Sequence, residues 1–143
     1  MNMTIIKFDD VEVGFELPKF THTFKRQDLV EYANTSGDQN RIHLDEEFAK
    51  SVGLPDVIAH GMLTMALAGN VVTNWIKDIN ALKSFSVKFS SPVVVPNNNE
   101  GTLVEFSGKV EEKLENKQIK IGLEARCQGV KVLGRSVIVV QLT

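Results

Sequence analysis

An α+β architecture, an antiparallel sheet with one long central helix and a short helical segment ahead of it, is what this sequence predicts. Three observations carry that expectation. From Gly61 to Ile76 there is no Asp, Glu, Lys or Arg, and apolar residues fall at nearly every angular position, the pattern of a buried helix. From Phe85 onward the apolar period switches to two, the mark of strands. Upstream, two shorter helical stretches are each stopped by a glycine.

Taken in order, the first helix spans about Gln27 to Ser36, with Leu29, Tyr32 and Ala33 on one side and Gly37 just past its end. The second has Asp45 as N-cap, Glu46 and Glu47 in its first turn, Phe48, Ala49 and Val52 as its apolar side, and Gly53 as its stop. The Gly61–Ile76 helix is too short for a membrane span of roughly 20 residues and carries Thr64, Asn70, Thr73 and Asn74. Its small residues, Gly61, Ala66, Ala68 and Gly69, let other elements approach its axis. The strand runs are Phe85, Val87 and Phe89; Val104, Phe106, Gly108 and Val110; Ile119, Ile121, Leu123, Ala125 and Cys127; and Val132, Ser136, Ile138, Val140 and Leu142. Turns at Asn97 to Gly101, Glu115 to Lys117 and Gln128 to Lys131 join them as a meander after the helix.

Composition narrows the function. A chain of 143 residues with 43% hydrophobic and 24% charged residues is one globular domain, 1–143, with a proper core. A net charge of −2 leaves no basic footprint for nucleic acid. Lys7, Asp9 and Asp10 arrive too early for an apolar leader, which points to the cytoplasm. The single Cys127 excludes an intrachain disulfide and lies on a core-facing strand position. His22, His43 and His60 are not at a metal-ligand spacing, so neither a metal nor another cofactor is expected.

The chemistry concentrates between Tyr32 and Met65. Asp38, Asn40 and His43 fall on the tight link between the two short helices, a place where flanking elements can fix reactive side chains. A carboxylate and an imidazole form an acid/base pair at neutral pH, and an intervening amide can orient a neighbour or a water. The same D-x-N-x-x-H spacing also fits turn capping by Asp38 and Asn40 with His43 in a polar pocket. Downstream, His60-Gly61 opens the uncharged helix. Its first amides lack intrahelical acceptors, and the helix dipole makes that end attractive to an oxyanion, with no side chain at Gly61 in the way.

The span S-G-D-Q-N-R-I-H-L-D followed by I-A-H-G-M-L-T-M resembles the hydratase 2 motif of the MaoC-like family, the (R)-specific enoyl-CoA hydratases and (3R)-hydroxyacyl thioester dehydratases. The similarity extends to the opening F-D-D-V-E-V-G and to V-K-F-S-S-P-V at Val87 to Val93, which resembles that family's first strand after the central helix. Among its branches, the chain most resembles the catalytic subunit of the actinobacterial heterodimeric (3R)-hydroxyacyl-acyl-carrier-protein dehydratase. The resemblance implies a hot-dog fold, the sheet wrapped around the helix. It also implies Asp38 and His43 as catalytic pair, Asn40 as supporting amide and the Gly61 N–H as oxyanion donor.

The implied reaction is reversible hydration of a trans-2-enoyl thioester of coenzyme A or acyl-carrier protein to the (3R)-3-hydroxyacyl form, as in the dehydration step of fatty-acid synthesis. A homodimer, or a heterodimer with a related hot-dog subunit, is implied as well. A noncatalytic acyl-binding partner subunit and an acyl-CoA thioesterase are the alternatives. Arg41 stands where the family usually has proline, which frees a backbone dihedral and adds a charge near the entrance. Arg41, Lys88 and Arg135 are candidates for carrier phosphates, with solvated surface charge as the competing reading. Trp75, Met62 and Met65 read as core.

Overall fold

The computed structural model describes residues 5–143. A 3-10 turn at Phe8–Asp10 precedes β1 (Phe20–Phe24) and α1 (Arg26–Ser36). A second turn at Arg41–His43 leads to α2 (Glu46–Ser51) and the long α3 (Gly61–Ile76). Then come β2 (Leu82–Ser86), β3 (Thr102–Lys113), β4 (Gln118–Cys127), the two-residue β5 (Val130–Lys131) and β6 (Ser136–Gln141). No helix among the described residues is long and apolar enough to cross a membrane.

The sheet is antiparallel, in the order β1-β3-β4-β6-β2, with β5 hairpinned onto β4. Alternation decides which face meets α3. Val104, Phe106, Gly108 and Val110 of β3, Ile119, Ile121, Leu123 and Ala125 of β4, and Ile138 and Val140 of β6 are buried, and α3 lies across them with Ala68, Val71 and Val72. The Glu115–Lys117 turn forms as expected, with Asn116 and Lys117 both at positive φ (57° and 56°), which suits the twist of a two-residue hairpin.

Three expectations need correcting. The strand anticipated through Phe85, Val87 and Phe89, and aligned at Val87 to Val93, is β2 at Leu82–Ser86; Phe89 makes only an isolated bridge to Leu133 and is 52% exposed. Nor does it open a simple meander. β2 pairs with β6, and a long crossover returns the chain to β3, because β1, which alternation alone did not reveal, occupies the free side of β3. Finally, α3 is not buried all round: Met62, Ala66, Asn70 and Asn74, one residue per turn, form an exposed stripe, and Met62 is therefore not core. Trp75 is half-buried and stacks on Phe15 at 5.6 Å.

The segment bearing the candidate residues is sewn to this frame. Ala59 N–H donates to Val93 O and Val95 N–H to Val57 O (2.9 and 2.8 Å), so residues 57–59 run beside the crossover. Arg26 ties in α1, donating to Val95 O and to Asp56, both at 2.6 Å. Gly101 closes the crossover at φ +74°, where an added Cβ would meet Thr23 and the Phe24 carbonyl.

Gly108 has a different task. A Cβ there would sit 3.0 Å from Val71, 3.1 Å from Leu123 and 3.4 Å from Ile121, so the helix rests on bare backbone. Gly108→Ala is expected to overpack this contact and lower stability by about 1–3 kcal/mol. A shift in the urea midpoint measures it; an unchanged midpoint would mean the helix can lift without cost.

Candidate functional site

Local capping builds the loop after α1. Gly37, at φ +83°, ends the helix. Ser36 Oγ accepts from the Asp38 N–H (3.1 Å), Asp38 Oδ1 from the Asn40 N–H (3.1 Å), and Asn40 Oδ1 from the Ile42 N–H (3.2 Å). Each is a side chain capturing the amide two residues on, and together they wind Arg41–His43 into its turn. The Asn40 oxygen is thus spent on shaping the backbone that carries His43.

His43 is buried, and its Nδ1 lies 2.7 Å from the Ile58 carbonyl. A carbonyl only accepts, so Nδ1 carries the proton and, in the neutral ring, Nε2 keeps its electron pair. That Nε2 stands 3.9 Å from Asp38 Oδ2. The gap is too long for a direct hydrogen bond, and it lets one water touch both atoms at about 2.8 Å. Asp38 is half exposed, so such a water can be replaced from solvent.

His60 N-caps α3, and its carbonyl accepts from the Leu63 and Thr64 N–H groups (3.1 and 3.2 Å). The Gly61 N–H has no acceptor among the described residues, as expected for a first-turn amide. Gly61, His43, Thr64 and Phe89 line one cavity of about 330 Å³ with Ile58, Ala59, Ser90, Ser91, Pro92, Val93, Val132 and Leu133. Of these lining residues only His43 and Gly61 were singled out for the site from sequence. Thr64 read as a polar helix residue and Phe89 as a strand position. The one available signal was that Thr64 lies three residues after Gly61, on the same helix face.

The fold also brings together what sequence separation hid. One nitrogen or oxygen donor atom each of Asp38, His43 and His60 lies within 4.8 Å of the others, a grouping that histidine spacing alone did not indicate. Their geometry suits a proton and a water better than an ion. The two imidazoles are stacked, with centroids 3.8 Å apart and planes at 23°, so neither ring's in-plane electron pairs point at the other ring. Each ring also has one nitrogen on a backbone carbonyl.

Burial is the main cause that pushes the His60 pKa below its ordinary 6.5, partly offset by its bond to the Asp38 carbonyl. The sign follows. The unfolded chain takes up this proton near 6.5 while the folded chain still refuses it, so stability falls as pH drops below about 6.5. The loss stops once the lowered folded pKa is passed. Urea midpoints at pH 7.5 and 5.5 should show the decline, and His60→Gln should reduce it; an equal decline in the variant would assign it elsewhere.

Arg41 has its own attachments. Its guanidinium donates to Asp45 (3.0 Å) and sits 4.3 Å over the Phe48 ring, which fastens the turn to α2 where a proline would have stiffened it. The Asp45 carboxyl is held below its usual range, first by the Phe48 N–H it caps and then by Arg41. Arg135 faces Glu111 at 3.6 Å.

A family profile described as "MaoC like domain" matches residues 11–126. The chain belongs to the MaoC-like domain family. Among curated relatives, the 3-hydroxybutyryl-CoA dehydratase of Methylorubrum extorquens is 30% identical over 121 residues, covering 81% of this chain and 71% of that protein. The fatty acid synthase beta subunit TOXC of Cochliobolus carbonum is 38% identical over 99 residues, which are 68% of this chain and 4% of TOXC. A solved MaoC-like dehydratase superposes with a TM-score of 0.92 at 41% identity, covering 96% of this chain and 42% of its own. The chain thus spans a small part of TOXC and less than half of that solved chain. Its hot-dog arrangement, a sheet wrapped on a central helix, is the fold described above.

Proposed function

We propose that this chain is a hydro-lyase that adds water to a trans-2-enoyl thioester and, in reverse, dehydrates the (3R)-3-hydroxyacyl thioester. The observation that carries this reading is the 3.9 Å gap between His43 Nε2 and Asp38 Oδ2, beside a cavity lined by both His43 and Gly61. The gap holds the reacting water. Its oxygen adds to C3, one of its protons passes to the pair, and a proton from the pair reaches C2. As C3 is attacked, negative charge builds on the thioester oxygen, where the first-turn amide of Gly61 receives it. The named activities of the relatives support the same reaction class.

The carrier is coenzyme A or an acyl-carrier protein, and the relation to a fatty acid synthase subunit favours a place in fatty-acid synthesis. Crotonyl-CoA is the first substrate to try. Purified protein should deplete the enoyl absorbance and form 3-hydroxybutyryl-CoA of R configuration without releasing thiol. Thiol release at the same rate would make it a thioesterase, and no turnover with any enoyl thioester would make it a binding subunit.

A second hot-dog subunit, identical or related, completes the assembly in this reading. The exposed stripe of α3 and the outer edge of β2 both lack a partner among the described residues, and a second copy would cover both. Ala66→Arg, in the middle of the stripe, is expected to shift the molecular mass in solution from dimer to monomer. A wild-type monomer by light scattering would refute it.

A further inference from the structure

We infer that His60 is a positioning residue, a neutral imidazole that holds the Asp38 backbone and the His43 ring at their working separation. The inference rests on the proposed hydration reaction for its kinetic consequence, though not for its structural part. His60 is only 1% exposed. One face of its ring stacks on His43 at 3.8 Å, and Tyr32 meets it edge-on at 4.7 Å. Its Nε2 lies 3.2 Å from the Asp38 carbonyl oxygen.

Those contacts fix the proton. A carbonyl cannot donate, so Nε2 bears the hydrogen and Nδ1 the electron pair. Nδ1 is sealed from solvent and has no partner among the described residues, so a proton placed there would be buried without an acceptor. The neutral ring is thereby confined to one tautomer. Its neutrality matters because His43 must carry a proton during turnover, and a second cation stacked on it would oppose this. The groups facing His60 are Asp38, His43 and Tyr32, and none supplies an acceptor for Nδ1.

His60 also closes a mechanical loop. Its ring bonds the backbone of Asp38, whose Oδ1 is held by Asn40 so that Oδ2 turns toward His43, and the same ring carries His43 on its face. One side chain at the start of α3 thus sets both ends of the 3.9 Å gap. Substrate need not touch it.

Kinetics and a spectrum test this separately. His60→Leu should lower kcat for crotonyl-CoA about 10- to 100-fold with KM little changed, the scale of losing a residue that orients a reacting group. His60→Gln, which can still donate to the Asp38 carbonyl, should recover most of it. Added to Asp38→Asn, His60→Leu should cost little more, because it acts through the group already lost. Fully additive losses, or a change confined to KM, would overturn the assignment. The nitrogen spectrum of the wild-type protein should show His60 as the neutral Nε2–H tautomer at about pH 6.5, where an unperturbed imidazole is half protonated. An Nδ1–H tautomer, or a protonated ring at that pH, would overturn it too. Should the wild type hydrate no enoyl thioester, the proposed function fails and the spectrum alone decides whether His60 grips Asp38.

Discussion

His43→Gln and Asp38→Asn are each expected to lower kcat/KM for crotonyl-CoA hydration by about 10²- to 10⁴-fold, the range for losing a positioned acid or base. Both should fold normally. Glutamine can still donate to the Ile58 carbonyl but offers no basic nitrogen toward the gap, and asparagine can still accept from the Asn40 N–H without a carboxylate charge. The variants therefore remove proton transfer and leave the hydrogen bonds that shape the loop. Because the two groups hold one water in the proposed reaction, the double variant should be little worse than the poorer single one. Near-full activity in either, with an unchanged melting temperature, would remove the pair from the mechanism.

The segment from Asp38 to Gly61 could be read from sequence because its chemistry is local. Gly37 and Asp45 punctuate the chain at the expected places, and the capping that winds the loop involves residues two apart. The same locality explains α3, whose uncharged run gave both its ends correctly. What sequence could not supply depends on partners far along the chain. Whether Phe85 or Phe89 belongs to a strand is decided by β6, which pairs with β2 across the whole length of β3 and β4. The burial of one side of α3 and not the other is set by which strands lie beneath it. His60 is the clearest case: its dipeptide marked a helix start, but its role follows from a carbonyl 22 positions earlier and a ring that the turn at Arg41–His43 folds against it.

Gly61→Ala tests the other half of the proposed chemistry and is expected to lower kcat by about 10²- to 10³-fold, the scale of a lost oxyanion donor. The helix itself should not suffer, since alanine is a better helix former than glycine. What changes is access. In a helix Cβ tilts toward the N-terminus, which at Gly61 is the side from which a thioester oxygen must reach the amide. The new methyl also has no room as the site stands: it would lie 2.9 Å from the Phe89 ring. Phe89 is half exposed and can swing away, so the clash is avoidable, but a displaced ring would enter the cavity it now borders. The double variant Gly61→Ala/Phe89→Ala separates the two effects. If the ring alone is at fault, removing it restores turnover; if the methyl screens the amide, the loss persists. Full activity in Gly61→Ala itself would show that the thioester oxygen finds its stabilisation elsewhere.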